Sequence, residues 1–211
     1  MARLSSGDQW IKMARPREFD HDKVLDAAMR CFWLRGFEGT SVRDLQDETG
    51  LTGASLYNAF GNKQSLYEIT LDRYVRCTIL QRIERCQKLA PVEAIREFFA
   101  DILQRSLSDK DRKGCMLVNA TLEPAPFDAR FRTKLSLALS HIEMFFLDTV
   151  RAGQFDSTIT HTTPAEILAQ HLLGVLMGVR VLGRVRAEEK LLCGVVAPAI
   201  ALLTREPMQP S

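Results

Sequence analysis

Residues 40–67 read TSVRDLQDETGLTGASLYNAFGNKQSLY, a pattern that predicts two short helices joined by a tight turn, with a third helix starting just beyond. Val42 and Leu45, three apart, give the first helix an apolar side, and Thr40 or Ser41 is placed to cap its first turn. Gly50 falls where that helix must stop, because glycine takes a left-handed conformation at little cost. Leu51 packs under the turn, and Thr52 caps the second helix, GASLYNAF, whose Leu56 and Phe60 are four apart and face inward. Gly53, Ala54, Ser55 and Tyr57 are then left on or near an exposed face. Small residues let a helix approach a surface closely, and a hydroxyl and a phenol give it something to bond with. This is the plan of a helix-turn-helix whose second helix enters a DNA major groove. The turn signals alone fit equally well a set of three small helices with no nucleic-acid role. The small exposed residues, Asn62-Lys63 at the head of the next helix and a basic arm upstream favour the DNA reading.

Outward from this segment the periodicity stays helical. A helix over 20–35 carries Val24, Leu25, Ala28, Phe32 and Trp33 on its apolar side and ends at Gly36, with Phe37 plugging the small core. A long helix from about Asn62 to about Leu89, stopped by Pro91, buries Leu66, Ile69, Tyr74, Ile79, Leu80 and Ile83. At about 1.5 Å per residue such a rod spans nearly 40 Å and ties the head to the rest of the chain. VEAIREFFADILQRSL is amphipathic, SDKDRKG is a loop, and a short apolar helix covers 115–122 before Pro124 and Pro126. A second long helix is expected over 127–151, closed by Gly153, followed by an exposed linker, GQFDSTITHTT. Thr163-Pro164 with Glu166 suggests a cap opening a helix to about Arg186, and a last helix runs over about 188–203. No stretch alternates long enough for a sheet, so the fold class is all-α.

Bulk composition sets few limits beyond this. The 211 residues are 46% hydrophobic and 26% charged, an ordinary globular balance, and the formal net charge of +2 does not itself argue for nucleic acid. Its placement is more telling. Residues 1–17 carry Arg3, Lys12, Arg15 and Arg17 against Asp8 alone, whereas residues 18–80 hold seven basic and ten acidic side chains. The arm suits phosphate or minor-groove contact, and equally a solvated tail. Five widely spaced cysteines argue for a reducing compartment, the four histidines form no metal-ligand cluster with them, and no signal peptide is legible. The apolar stretch 172–182 is interrupted by Arg180 and is too short to cross a bilayer, so a cytoplasmic protein is expected. No nucleophile–base set or phosphate loop is discernible, which argues against an enzyme, and no cofactor or metal is implied.

Residues 40–67 resemble the N-terminal DNA-binding domain of the TetR family of bacterial transcriptional regulators. The resemblance rests on Thr40, Gly50, Leu56-Tyr57, Phe60, Lys63 and Leu66-Tyr67, with Gly53-Ala54 standing where relatives often carry a longer polar or basic residue. A second motif, Gly114-Cys115-Met116-Leu117-Val118-Asn119, resembles a subset of that family in which a Gly-Cys-x-Leu-x-Asn run opens a short helix bordering the ligand pocket. The resemblance implies a flexible arm (1–18), a helix-turn-helix domain (19–67), a helical ligand-binding and dimerisation domain (68–206) and a loose tail (207–211). It implies a homodimer that binds a palindromic operator on double-stranded DNA and is released by a small, largely apolar effector. DNA contacts are expected from Thr40, Thr52, Gly53, Ala54, Ser55, Tyr57, Asn58 and Lys63, with Thr40, Tyr57 and Lys63 on phosphates. The ligand wall is assigned to Phe98, Phe99, Ile102, Cys115, Met116, Asn119, Met144, Phe145 and His171, each of which also reads as plain core or as a local tie. Cys115 is either an inert buried thiol or, at a helix start, a reactive sensor. The Leu-, Val- and Gly-rich final helices are apolar on more than one side, and a dimer contact through Leu172, Val175, Leu176, Val179, Leu182, Leu192, Val195 and Val196 follows. A helical protein-interaction module and a small-molecule-binding or enzymatic bundle remain the alternatives.

Overall fold

The computed structural model describes residues 19–123 and 129–204, and all regular structure among them is helical. The elements are α1 (His21–Arg35), α2 (Val42–Thr49), α3 (Gly53–Phe60), α4 (Lys63–Tyr74), a π-helical segment (Val75–Leu80), α5 (Gln81–Cys86), α6 (Pro91–Ser108), α7 (Met116–Leu122), α8 (Ala129–Phe155), α9 (Ala165–Val185) and α10 (Glu189–Thr204). The N-terminal arm and the tail expected from the sequence lie outside the described residues.

The head, α1 to α4, is defined by its caps. Asp20 accepts from the backbone N–H groups of Asp22 and Lys23 at the start of α1. Ser41, not Thr40, caps α2: its hydroxyl accepts from Asp44 N while the Asp44 carboxylate accepts from Ser41 N at 2.8 Å, so two otherwise orphaned donors are satisfied reciprocally. Gly50 ends α2 in the left-handed region (φ 70°, ψ 10°), Thr52 caps α3 and Asn62 caps α4. Leu45, Leu56 and Leu66 are fully buried beneath these turns, together with Phe32 and Tyr67. Arg73 of α4 clamps α1 by pairing with Asp22 and Asp26, each at 2.6 Å.

α4, the π-helical segment and α5 continue as one rod. The sequence predicts an unbroken α-helix there, and a wider turn at Val75–Leu80 is where the structure differs. Such insertions recur at functional sites, and this one aims Tyr74, Ile79 and Arg82 at the body. The body packs α6, α8, α9 and α10 around Phe98, Phe99, Phe145 and Phe146, whose rings lie 5.1–6.0 Å apart. Tyr67 stacks on Phe131 of α8 at 5.9 Å, so one apolar core runs from head to body.

Three local expectations are corrected. Gly153 lies buried within α8 and does not end it; a side chain there would meet Ile159 at 2.6 Å, so the glycine allows a close approach. Residues 153–163 are no free linker, since Ile159 is buried and Gln154 donates to the carbonyls of Thr160 and Thr163. α9 opens at Pro164 with no side-chain cap from Thr163. By length and composition α9 could cross a membrane, but it sets Leu168, Leu172, Leu176 and Val179 into the core, which accounts for its hydropathy.

Candidate nucleic-acid interface and effector cavity

α3 carries no charged residue, and its inner side is fixed by Leu56 and Phe60. That leaves Ala54 and Asn58 exposed and Gly53, Ser55 and Tyr57 half-buried, with the cap Thr52 exposed ahead of them. Thr52 and Ser55 hydroxyls lie 2.9 Å apart, so they present one polar tip at the N-terminal end of α3. Gly53 allows a close approach to α2: a Cβ there would come within 3.1 Å of the Val42 side chain. Of the three acidic groups of the neighbouring α2, Asp47 is exposed and lies 3.9 Å from Arg43 of the same helix, while the other two pair with α1. Asp44 pairs with Arg35 at 2.6 Å and Glu48 with Arg30 at 3.4 Å. The Ser41 hydroxyl and N–H, ahead of Arg35, hold the Asp44 carboxyl below its ordinary range. Lys63, in the first turn of α4, sits 4.5 Å above the Phe37 ring, held by a cation–π contact on the same head.

Thr40 does not belong to this face. It is fully buried and its hydroxyl donates to the Gly36 carbonyl at 2.6 Å, so it ties the α1–α2 turn and has no surface to offer a phosphate. Ser41 and Arg43 are the exposed polar groups at that corner.

In the body, Phe98, Ile102 and Cys115 line a small internal cavity of about 10 Å³, while Phe99, Met116 and Phe145 are buried in the core away from its wall. A cavity of this size is at the threshold for one water, so an organic molecule enters only as the walls part. Met144, 49% exposed, and His171, also exposed, are corrections: both lie on outward faces of their helices. Asn119 donates to the Lys113 carbonyl at 2.8 Å and secures the loop before α7. Cys115 is 5% exposed and accepts from the Tyr74 hydroxyl at 3.4 Å, which shields the sulfur. Burial pushes the Tyr74 phenol up, so that hydroxyl stays a donor.

Two arginines escaped the sequence reading. Arg82 and Arg180 are 2% and 6% exposed, and both face this cavity. The signal was legible: an arginine amid Leu172–Leu182 falls on the buried side of an amphipathic helix, not on its solvated side.

Head and body are also joined by polar ties. Trp33 of α1 donates its indole N–H to the Gly114 carbonyl at 3.2 Å, and Phe37 N donates to Glu123 at 2.9 Å. Burial pushes the Glu123 carboxyl above its ordinary range, against the pull of the Phe37 N–H and the Tyr67 hydroxyl.

The sequence profile described as "Bacterial regulatory proteins, tetR family" matches residues 24–69, the head just described. Over the longer chain, the HTH-type transcriptional repressor ComR of Escherichia coli K12 is 30% identical across 79% of this chain and 82% of its own length. The chain belongs to the TetR family of bacterial transcriptional regulators. A second relative, the HTH-type transcriptional regulator YezE of Bacillus subtilis 168, is 30% identical across 83% of this chain and 92% of its own. A structure of the TetR family regulator CifR, a cysteine mutant complexed with 26-bp double-strand operator DNA, superposes with a TM-score of 0.80 at 31% identity, covering 89% of this chain and 98% of CifR. As a TetR family member the protein is a helix-turn-helix transcription factor and not an enzyme, and the reading as a catalytic bundle is set aside.

Proposed function

We propose that this TetR family regulator is a homodimeric repressor that holds a palindromic operator and is released by a small, largely apolar effector. The observation that carries the DNA half is the uncharged outer side of α3, polar at its tip and with neighbouring Asp44 and Glu48 paired to arginines of α1. A groove lined with phosphates accepts such a face without like-charge repulsion. Thr52, Gly53, Ala54, Ser55 and Asn58 read base edges, Tyr57 and Lys63 grip phosphates, and Arg43 adds a further cation. The CifR complex with operator DNA supports the same use of the head.

The dimer contact is assigned to the outward sides of α9 and α10. Of the residues expected there, Leu172, Leu176, Val179, Leu192 and Val196 are buried in the chain's own core, which is a correction of helical register. Val175, Leu182 and Val195 stay half-exposed, beside Ile167 (54%), Val181 (43%) and Val185 (67%). Gly174, Gly178 and Gly194 have nothing within 4 Å of where a side chain would start, so they form a flat strip against which a second helix pair can close. A two-fold axis there would set the two α3 helices about 34–36 Å apart, or a multiple of it, to match half-sites one DNA turn apart.

Effector entry would part the walls around Phe98, Ile102 and Cys115, displace the rod at its π-helical segment and change the head spacing. The Gly114 to Asn119 run, which opens α7 against the rod, supports membership of the Gly-Cys-x-Leu-x-Asn subset. The domain division at about residue 67 and action in the cytoplasm belong to the same reading, to which the five free cysteines are congenial.

The test is selection of bound duplexes from a random pool, repeated with a metabolite extract present. An inverted repeat should emerge, and the extract should release it. If no duplex is enriched, the reading fails and a protein-interaction module takes its place.

A further inference from the structure

We infer that the effector cavity is built for a small organic carboxylate, whose anionic head is held between Arg82 and Arg180 and whose short apolar tail lies against Phe98, Ile102, Leu176 and Met177. This rests on the effector reading above and names its chemistry.

The argument is one of unmatched charge. Arg82 is almost wholly buried; its Nε donates to Asp101, but its Nη2 is buried with no hydrogen-bond partner among the described residues. The guanidinium lies 5.6 Å from the centre of the Phe98 ring, which offsets part of its lost hydration, but the Nη2 group still lacks the hydrogen bond that burial demands. Asp101 is shared, because its carboxylate also accepts from Arg105 at 3.1 Å and from Arg85 at 3.5 Å. Arg180, on α9, forms no ion pair or hydrogen bond among the described residues. One carboxylate therefore serves three arginines, and a fourth, nine-tenths buried, has no counter-charge among the described residues. Burial, and then the like charge of Arg180, pulls Arg82 below its usual range, against the opposing pull of Asp101.

Geometry supplies the rest. Arg82 and Arg180 line the same internal cavity, and the remainder of that wall is apolar. Arg180 also lines a second cleft of about 170 Å³, shared with Ser106, Arg105 and Arg112, both arginines exposed. Lys113 at its rim is already neutralised by Asp109 and Asp111, at 2.6 and 2.9 Å. Arg180 lines both the cleft and the cavity, so its charge acts in both spaces. The planar fork of guanidinium matches the two oxygens of a carboxylate, and the apolar wall favours a monoanion with a tail over a heavily hydrated phosphate. Tyr74 spends its hydroxyl proton on Cys115 and leaves the anion to the arginines. Since Arg82 rides on the rod and Arg180 on α9, one bound carboxylate would pull the two elements together, which is a direct lever on head spacing.

Binding is measured on the full chain by calorimetry and thermal shift with acetate, hexanoate and benzoate, against hexanol and inorganic phosphate at matched ionic strength. Hexanoate or benzoate should bind saturably and raise Tm, while hexanol and phosphate do neither. Arg180→Met should fold, with Tm equal to or above the parent because a buried unpaired charge is gone, and should lose carboxylate affinity on the order of tenfold or more. Arg180→Gln serves as the second variant if Met perturbs folding. The inference is overturned if no carboxylate binds, if hexanol binds as well as hexanoate, if phosphate alone binds, or if the Arg180 variants bind like the parent. Duplex selection read in parallel separates the two readings: an enriched operator without carboxylate binding sinks this inference alone, and carboxylate binding without any operator sinks the repressor reading alone.

Discussion

In the head, acidic groups beside the recognition helix find partners at the surface and each helix start from α1 to α4 is capped by a side chain, whereas the body buries two arginines, of which Arg82 pairs with Asp101 and Arg180 has no ion pair among the described residues. The head is a satisfied structure, stiff and finished, which suits a part that must present the same face to every operator. The body carries an unmet electrostatic need, which suits a part that must change when something arrives. Regulation of this kind asks for that asymmetry: a rigid reader on a body with a poorly balanced interior. The π-helical segment at Val75–Leu80 lies at the seam, where the finished region gives way to the unfinished one.

The sharpest way to break this comparison is through the outward side of α9. Gly174→Leu points into open space in the single chain, so the fold should persist and helix propensity should gain about 1 kcal/mol. Two copies could no longer close on that strip. Sedimentation should show monomer, and operator affinity should fall by about 10²–10⁴ as the two heads cease to bind as a unit. A dimer that survives the change removes this face from the interface. Next in size, Lys63→Ala should weaken operator binding by about 1.5–3 kcal/mol, the worth of a charge-assisted bond, and lower the salt slope by roughly 1. Tyr57→Phe, which keeps the half-buried ring, should weaken binding less. Both are read from binding isotherms at several salt concentrations; an unchanged slope for the lysine variant would move the phosphate contact elsewhere.

Ser41→Ala removes the capping box of α2 and should lower stability by about 1 kcal/mol in urea unfolding, with more loss at the head than the body by hydrogen exchange. Equal loss in both regions would mean they unfold as one unit and would blur the contrast drawn here. The smallest effect concerns the joint between them. Burial raises Glu123 above its ordinary 4.5, so folding favours its protonated form. Its contribution is full below about 4.5 and is lost as pH rises through the raised folded value. Glu123→Gln mimics the protonated state and should flatten that part of the Tm–pH curve. An identical curve for parent and variant would show that this carboxyl contributes nothing to the linkage.

Much of the head was legible because its determinants are local. Gly50, Thr52 and Asn62 act on backbone groups within three or four residues, and apolar spacing at Leu45, Leu56 and Phe60 places the inner side without reference to anything distant. Thr40 shows the limit of such reading: whether it or Ser41 faces solvent depends on the Gly36 carbonyl across the α1–α2 turn. The same limit explains α9 and α10, where apolar residues on more than one side signal two partners but not which residue meets which. Gly153 had the local mark of a stop and proved to be a point of close contact with Ile159, a residue outside its own helix.

The sequence by itself determined the helical class, the order of the helices and the presence of a helix-turn-helix, since caps, left-handed glycines and a 3.6-residue period are short-range forces written in adjacent residues. Only the tertiary structure decided that Arg82 and Arg180, 98 positions apart, share one cavity, that Asp101 is shared among arginines, and that Met144 and His171 look outward. Charge balance in a protein interior depends on which side chains meet across helices, and helix crossings are fixed by the packing of whole faces rather than by any one stretch of chain.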